Sequence, residues 1–280
     1  MVKNLFKKFF QDYSKNVDNA NNQFFWRLSD DIILSIITKH IKNSPSKKAV
    51  ILDAGGGTGR WIGIMSKKFN SKFILYDLSS DMLNMAKNKK DLECLKDRLE
   101  IVQGDIQNMF KIKSSSVDYV TSIYNPVSFV ENPILFFKEI KRIFEKGGIA
   151  VVMGQGFTNA IASKINNYLA EAKELTVLDK EEKVKWNPNL AALNVFSKES
   201  IENLANKAGL KLINTYGIPV FLQPGPEDFD SENKQRSRVS TKLETDNKFY
   251  KDVYKLEMKY NSNNMMVNRG MNLMVVVQKT

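Results

Sequence analysis

The stretch Ala49-Val50-Ile51-Leu52-Asp53-Ala54-Gly55-Gly56-Gly57-Thr58-Gly59 constrains this chain more than any other part of it. Four apolar residues with good strand propensity run through Asp53 into a turn rich in glycine, and a helix-prone stretch follows to about residue 68. Strand, tight glycine turn, helix is the opening of a βαβ unit. The rhythm then repeats. Residues 72–76 form a second strand ending at Asp77, and Asp81-Met82-Leu83-Asn84-Met85-Ala86 opens another helix. Residues 99–102 form a third strand ending near Gly104-Asp105, and residues 117–123 form a fourth. A helix is expected over about residues 133–145, with Pro133 in its first turn and Gly147-Gly148 as its stop; residues 149–153 make strand five. Strands apolar on both faces that alternate with helices predict an α/β chain with a parallel sheet covered on both sides.

The flanking regions read differently. Leu5, Phe6, Phe9, Phe10 and Tyr13 fall at helical spacing, as do Ile32, Ile33, Ile36, Ile37 and Ile41 in a second helix that Asn43-Ser44-Pro45 ends. His40 shares that second stripe, which makes it a core or boundary histidine rather than a catalytic one. Beyond Gly154 a polar, helix-prone region runs to about residue 194, followed by a helix over 198–208 and a strand over 210–216. Residues 222–246 carry Pro, Gly and charge with little periodicity. Phe249, Val253, Leu256 and Met258 predict one more helix, and residues 272–277 a final strand. The expected organisation is lid or cap helices over 1–45, a ligand-binding core over 46–154, a cap insertion over 155–195, and the C-terminal part of the sheet over 196–280 with an insertion at about 222–265.

Composition removes several function classes. The chain has 280 residues, a single cysteine, Cys94, which excludes an internal disulfide, and a single histidine, which leaves too few nitrogen and sulfur ligands for zinc. No bound metal is expected. No apolar run approaches the roughly 18–20 residues that span a bilayer, so a cytoplasmic protein without a membrane partner is the reading. The formal charge of +11 is what a nucleic-acid partner would require. Yet only seven arginines (27, 60, 98, 142, 236, 238, 269) stand among 42 basic residues, and the lysines are spread along the whole chain. Arginine is the favoured bidentate reader of phosphate, so a merely solvated surface is the simpler account.

Ligands of open parallel sheets sit beyond the carboxyl ends of the strands, and three such ends carry special residues here. Gly55, Gly56, Gly57 and Gly59 let a ligand approach the backbone beside Asp53. Asp77 lies 18 residues past Gly59, where a carboxylate can accept both hydroxyls of a ribose, and Asp105 ends the third strand. Each feature has an ordinary structural explanation, a tight turn or a helix cap. Three in register point to a nucleoside site. The dinucleotide fingerprint fails, because its third glycine position is Arg60 counted from Gly55 and Ile62 counted from Gly57; no phosphate-binding G-x-x-x-x-G-K-[ST] loop is present either.

The segment from Val50 to Arg60 resembles the class I S-adenosylmethionine-dependent methyltransferases, in particular their small single-domain branch. The likeness is detailed over residues 49–154 and weaker over 196–216 and the last strand. It implies a Rossmann-like, doubly wound, mostly parallel seven-stranded sheet with an antiparallel last strand, plus N-terminal lid helices and cap insertions. It also implies S-adenosylmethionine as cofactor, S-adenosylhomocysteine as product, and a role for each matching position. Asp53 and the glycine turn would meet the methionine part of the cofactor. Asp77 would hold the ribose, Leu78 and Met82 would pack on the adenine, and Asp105 with Ile106 would meet the adenine edge. Ile123, Tyr124 and Asn125 would line the floor beside the donor methyl. Tyr13 stands where related enzymes often have a tyrosine that closes over the cofactor; Trp26 and Arg27 belong either to that lid or, for Trp26, to packing.

The pocket chemistry agrees with this family. A sulfonium, an amino-acid head and an adenosine call for carboxylates and backbone groups and for no phosphate-binding lysine. In-line methyl transfer gains rate from holding the reactants close with water excluded, so a lid and cap are expected; Phe157, Tyr168, Trp186 and Leu190 are candidates, or simply seal a core. Asn125, Phe129 and Trp186 are candidate substrate-binding residues. Some relatives keep a histidine after strand four, and the stretch Tyr124-Asn125-Pro126-Val127-Ser128-Phe129 holds none, which leaves Tyr13 and Tyr124 as candidate catalytic groups for O-methylation, with N-methylation open. Metal-dependent O-methylation is disfavoured, since no carboxylate directly follows strand four. The expected function is transfer of a methyl group to N or O of a small molecule. Two alternatives stay open: a methyltransferase of RNA or DNA amino groups, for which Asn125-Pro126 matches only the start of an Asn-Pro-Pro-aromatic motif, and a catalytically silent cofactor-binding partner protein.

Overall fold

The computed structural model describes residues 18, 23–41, 49–187, 190–230 and 234–280. Tyr13 and the predicted helix over 5–13 lie outside the described residues. Helix α1 (Phe24–His40) precedes strand β1 (Val50–Ala54), helix α2 (Arg60–Ser66), β2 (Lys72–Asp77), α3 (Ser80–Lys87), the short α4 (Lys90–Glu93) and β3 (Leu99–Gln103). Then follow β4 (Val117–Ser122), α5 (Pro133–Ile143), β5 (Phe144–Gly156), α6 (Phe157–Asn166), α7 (Ala172–Glu181), β6 (Lys183–Val184) and β7 (Leu193–Phe196). The chain ends with α8 (Lys198–Lys207), β8 (Lys211–Ile218), α9 (Arg238–Thr245), α10 (Asn247–Tyr260) and β9 (Asn272–Gln278).

The main sheet runs β3-β2-β1-β4-β5-β9-β8. Its first five strands are parallel, and β9 lies antiparallel between β5 and β8. Because β1 has β2 on one side and β4 on the other, the strand order reverses there, and the crevice of a doubly wound sheet opens at the carboxyl ends of β1 and β4. The alternation of each strand separates the core into two layers. Ile51, Val151 and Val276 pack under α1 and α2 on one face, while Leu52, Val152 and Val275 pack under α5 and α8 on the other. Residues of β9 are buried on both faces, which is why Asn272-Leu273-Met274-Val275-Val276-Val277 is almost continuously apolar. Among the described residues no helix is long and apolar enough to cross a membrane.

Three elements depart from expectation. Strand β5 starts at Phe144 rather than 149, since Phe144 already pairs with Val117; Gly147 at φ 84° takes up the irregularity inside the strand and does not stop a preceding helix. The polar region over 155–195 contains, besides α6 and α7, the antiparallel pair β6–β7, and β7 adds to the end of β5 through Gln155 and Gly156. Within 222–246, α9 forms where no periodicity announced it, nucleated by Ser237, whose hydroxyl accepts from the Ser240 N–H. In α10 the inward residues include Phe249, Val253 and the buried Glu257, whereas Leu256 is 52% exposed. His40 sits half-buried at the boundary of α1, its Nε2 2.8 Å from the Tyr216 hydroxyl.

Candidate functional site

The glycine turn is built so that a carboxylate stays open behind it. Gly55, Gly57 and Gly59 adopt φ of 73°, 55° and 73°, a region that L side chains rarely enter. A Cβ on Gly56 would lie 2.5 Å from Asp53 Oδ2, and one on Gly55 would lie 2.5 Å from Pro126 Cβ. The space against Asp53 therefore exists only because the residues are glycine. Asp53 itself is 1% exposed; Thr121 donates to its Oδ1 at 2.9 Å, and its Oδ2 has no partner. Burial, less the Thr121 hydrogen bond and reinforced by the negative charge of Asp77, raises its pKa to about 7. A buried carboxylate oxygen without a donor costs stability, and a cationic group placed against it would relieve that cost.

Asp77, at the tip of β2, faces the same turn. Its Oδ2 accepts the Gly57 N–H at 2.9 Å and its Oδ1 the Ser79 N–H at 2.8 Å. Burial moves its pKa up against those hydrogen bonds. Each oxygen keeps a further lone pair. Beside it, Met82 and Leu78 follow in the first part of α3 and its approach, and the Met82 sulfur lies 3.8 Å from where a Gly57 Cβ would stand. At the β3 tip Asp105 turns back on itself: its Oδ1 accepts the Gln107 N–H at 3.0 Å, and Ile106 is buried next to it. The three carboxylates thus stand at the carboxyl ends of three neighbouring parallel strands, stepped rather than level: Asp53 pairs with Leu75, two residues before Asp77, and Asp77 pairs with Gln103, two residues before Asp105.

The fourth tip is aromatic. Tyr124 and Asn125 follow β4 with φ of 60° and 73°, a strained pair before the short helical turn Pro126–Phe129. The Tyr124 hydroxyl donates to Asp30 Oδ1 at 2.5 Å, and Asp30, from α1, is ion-paired with Arg60, the first residue of α2. The Tyr124 ring lies 5.8 Å from that of Trp26 and 6.2 Å from that of Trp61. Burial first, and the Asp30 charge second, hold the Tyr124 phenol well above its ordinary pKa. Asn125 donates through Nδ2 to Asn272 Oδ1 at 2.7 Å and leaves its own Oδ1 unpartnered. Phe129 and Trp186 belong together in a separate small cluster with Ala160, Leu178, Val184, Leu193 and Val195; Trp186 Nε1 donates to Gln155 Oε1 at 3.0 Å. Trp26 reaches the site through its ring contact with Tyr124 and is anchored by its Nε1, which donates to the Asp228 carbonyl at 2.6 Å, while Arg27 points outward over the Phe24 ring.

The sequence reading missed Asp30 and gave Arg60 no role. The only available signal was an aspartate four residues after Trp26 at the edge of an isoleucine-rich face. It also missed the clasp over the turn, in which the Thr58 hydroxyl donates to Asp18 Oδ1 at 3.0 Å and Lys89 pairs with Asp18 at 2.6 Å.

Residues 51–148, which carry all four tips, match the family model of the methyltransferase domain. That segment is a methyltransferase domain, and the sheet around it has the Rossmann-like fold of the S-adenosylmethionine-dependent methyltransferases. A malonyl-[acyl-carrier protein] O-methyltransferase of Marinomonas sp. (strain MWYL1) is 28% identical to this methyltransferase over 210 residues, spanning 69% of this chain and 76% of that protein. Solved structures share the fold. A chain from the complex of the Haloferax volcanii Trm112 methyltransferase activator with a methyltransferase superposes with a TM-score of 0.56 at 14% identity over 96% of both chains. The geranyl diphosphate C-methyltransferase of Streptomyces coelicolor A3(2), solved with Mg2+, geranyl diphosphate and S-adenosylhomocysteine, gives 0.54 at 12% identity over 90% of this chain and 79% of that one. S-adenosylmethionine is the cofactor of the family, and the open carboxylate behind the glycine turn of this methyltransferase fits its cationic head.

Proposed function

We propose that this methyltransferase transfers a methyl group from S-adenosylmethionine to a nitrogen or oxygen of a small molecule. The observation that carries the reading is the Asp53 carboxylate, buried with one oxygen unpartnered behind a turn that only glycine allows. Asp53 would take the ammonium of the methionine part, Gly55, Gly56, Gly57 and Gly59 would leave room for it, and the free lone pairs of Asp77 would accept the ribose hydroxyls. Leu78, Met82, Asp105 and Ile106 would enclose the adenine. When bound, the cofactor supplies a methyl group on a sulfonium. The residues of this chain supply position and dryness: the Tyr124 ring between Trp26 and Trp61 is the wall at the donor side, and α1 is tied across the tips of β1 and β4 by the Asp30–Arg60 pair.

A small acceptor is favoured over a nucleic acid by the use of the arginines. Arg60, Arg142 and Arg236 are ion-paired to carboxylates within the chain, and Arg98 donates to the carbonyls of Phe69 and Ser71. They are thereby committed to the protein rather than to phosphates. Asn125, Phe129 and Trp186 stand at the carboxyl ends of β4 and β5 or over them, where an acceptor would enter. The test is incubation of the full chain with methyl-tritiated S-adenosylmethionine and a panel of small amines, phenols and carboxylic acids, malonyl-acyl carrier protein, geranyl diphosphate, and pooled RNA and DNA. Label on nitrogen or oxygen of a small acceptor is the expected result. Label confined to nucleic acid, to carbon, or to nothing would overturn the reading.

A further inference from the structure

The site contains a second buried acid that cofactor binding does not use. Asp30 is mostly buried, its side chain 14% exposed, and it makes two different contacts: it accepts the Tyr124 phenol proton at 2.5 Å and pairs with the Arg60 guanidinium. The three partners come from three parts of the chain, α1, the first turn of α2 and the tip of β4, and two tryptophans flank the phenol. Packing alone does not call for the phenol, because phenylalanine in its place would leave Asp30 still paired with Arg60.

Resting on the reading above, we propose that Asp30 is the positioning residue and proton sink for Tyr124, which receives the proton that an amine or hydroxyl acceptor must lose during methyl transfer. The acceptor N–H or O–H bond breaks heterolytically and its proton passes to Tyr124 Oη, as the phenol proton passes to Asp30 Oδ1. The electron pair left on nitrogen or oxygen forms the new bond to carbon, and the carbon–sulfur pair stays with sulfur. Tyr124 is neutral before and after, which suits a phenol whose pKa is far too high for it to ionise alone. Asp30 ends the step protonated and returns its proton to solvent when the product leaves. The groups that face Asp30 fit this task. Arg60 favours its ionised form, while burial and the neighbouring Asp31 raise its pKa and make it a stronger base than an ordinary carboxylate. Tyr250 of α10 donates to Asp31 at 2.6 Å, and Asp18 acts on the pair through Arg60.

The experiment uses the full chain, methyl-tritiated S-adenosylmethionine and the amine and phenol acceptors of the panel, with kcat and KM followed against pH. Asp30→Asn and Tyr124→Phe should each lower kcat by about 10²- to 10⁴-fold, the usual worth of a positioned acid–base group, with KM for the donor unchanged. Wild-type activity should fall at acid pH as Asp30 protonates, with a midpoint above that of an ordinary carboxylate. Asp30→Asn should lack that limb, and Asp30→Glu should restore part of the rate together with the limb. Calorimetric binding of S-adenosylhomocysteine by each variant establishes that the fold and cofactor site survive; Tyr124→Phe keeps the ring between the tryptophans if Asp30→Asn unfolds. Labelled acceptors with both variants at wild-type rate, or labelling only of carboxylic acids, which have no proton to give up at neutral pH, would overturn this proposal and leave the wider function standing. A wild-type protein that labels no acceptor would overturn both.

Discussion

Two fully buried carboxylates separate the working edge of the molecule from its C-terminal scaffold. Glu257 of α10 is 0% exposed and accepts the N–H groups of Val220, Phe221 and Leu222 at 2.7, 2.9 and 2.8 Å. Asp53 at the β1 tip is 1% exposed and holds one hydroxyl, with one oxygen bare. Burial therefore does not distinguish a site from a core. Satisfaction does: the glutamate replaces a missing strand of hydrogen bonds for the segment after β8, and the aspartate is short of a partner that the folded chain does not provide.

The largest effect expected from breaking this contrast is on stability. Glu257→Ala leaves two buried N–H groups and one partly buried one without an acceptor and should cost about 3–5 kcal/mol in urea denaturation. The protein that remains folded should bind S-adenosylhomocysteine with wild-type affinity in calorimetry. A loss of affinity without a loss of stability would erase the distinction between the two carboxylates.

Asp53→Asn should act with the opposite sign. In the folded protein the Asp53 pKa is raised from 3.8 to about 7, so its neutral form is the one that folding prefers. Between those values wild-type stability falls as pH rises, and above about 7 the whole penalty is present. The asparagine variant should match wild type near pH 3 and gain on it through neutrality, reaching about 2–4 kcal/mol at pH 8 by thermal or urea unfolding. The same change should abolish tight cofactor binding. Wild-type affinity should itself weaken as pH drops below about 7, because the carboxyl must shed its proton to face a cation. A stabilised variant with unaltered affinity would remove Asp53 from the cofactor site.

What was legible in the sequence follows the same division. The strand and turn pattern from Ala49 to Gly59 announced itself because the local backbone needs of the turn leave no choice of residue, and Asp77 and Asp105 followed from strand periodicity alone. The parallel strands were legible because each strand's apolar pattern is local, whereas the antiparallel last strand followed only from the family resemblance. Glu257 was not, since the groups that donate to it are backbone N–H groups 35–37 positions away, and the sequence shows only a charged residue in a helical stretch where Leu256 carried the expected stripe. Asp30 escaped for the same reason, its partner Tyr124 lying 94 residues away. Helix α9 escaped because its capping serine, Ser237, sits among charges that mask any period.

Asp77 lies between the two extremes and gives the finest test of the contrast. It takes one backbone N–H on each oxygen, Gly57 and Ser79, so part of its hydrogen-bonding capacity is structural and part is open. Asp77→Ala should therefore show both kinds of loss in small measure. Freeing two N–H groups at a partly exposed turn, where water can replace the carboxylate, should lower stability by about 1 kcal/mol. Removing an acceptor for ribose hydroxyls should weaken S-adenosylhomocysteine binding by about 1–3 kcal/mol in calorimetry. Asp77→Asn keeps an oxygen for one N–H and should recover most of the stability but only part of the affinity. If stability and affinity instead move together across both variants, the ribose contact adds nothing of its own, and the carboxylate at the β2 tip serves the turn as Glu257 serves the segment after β8.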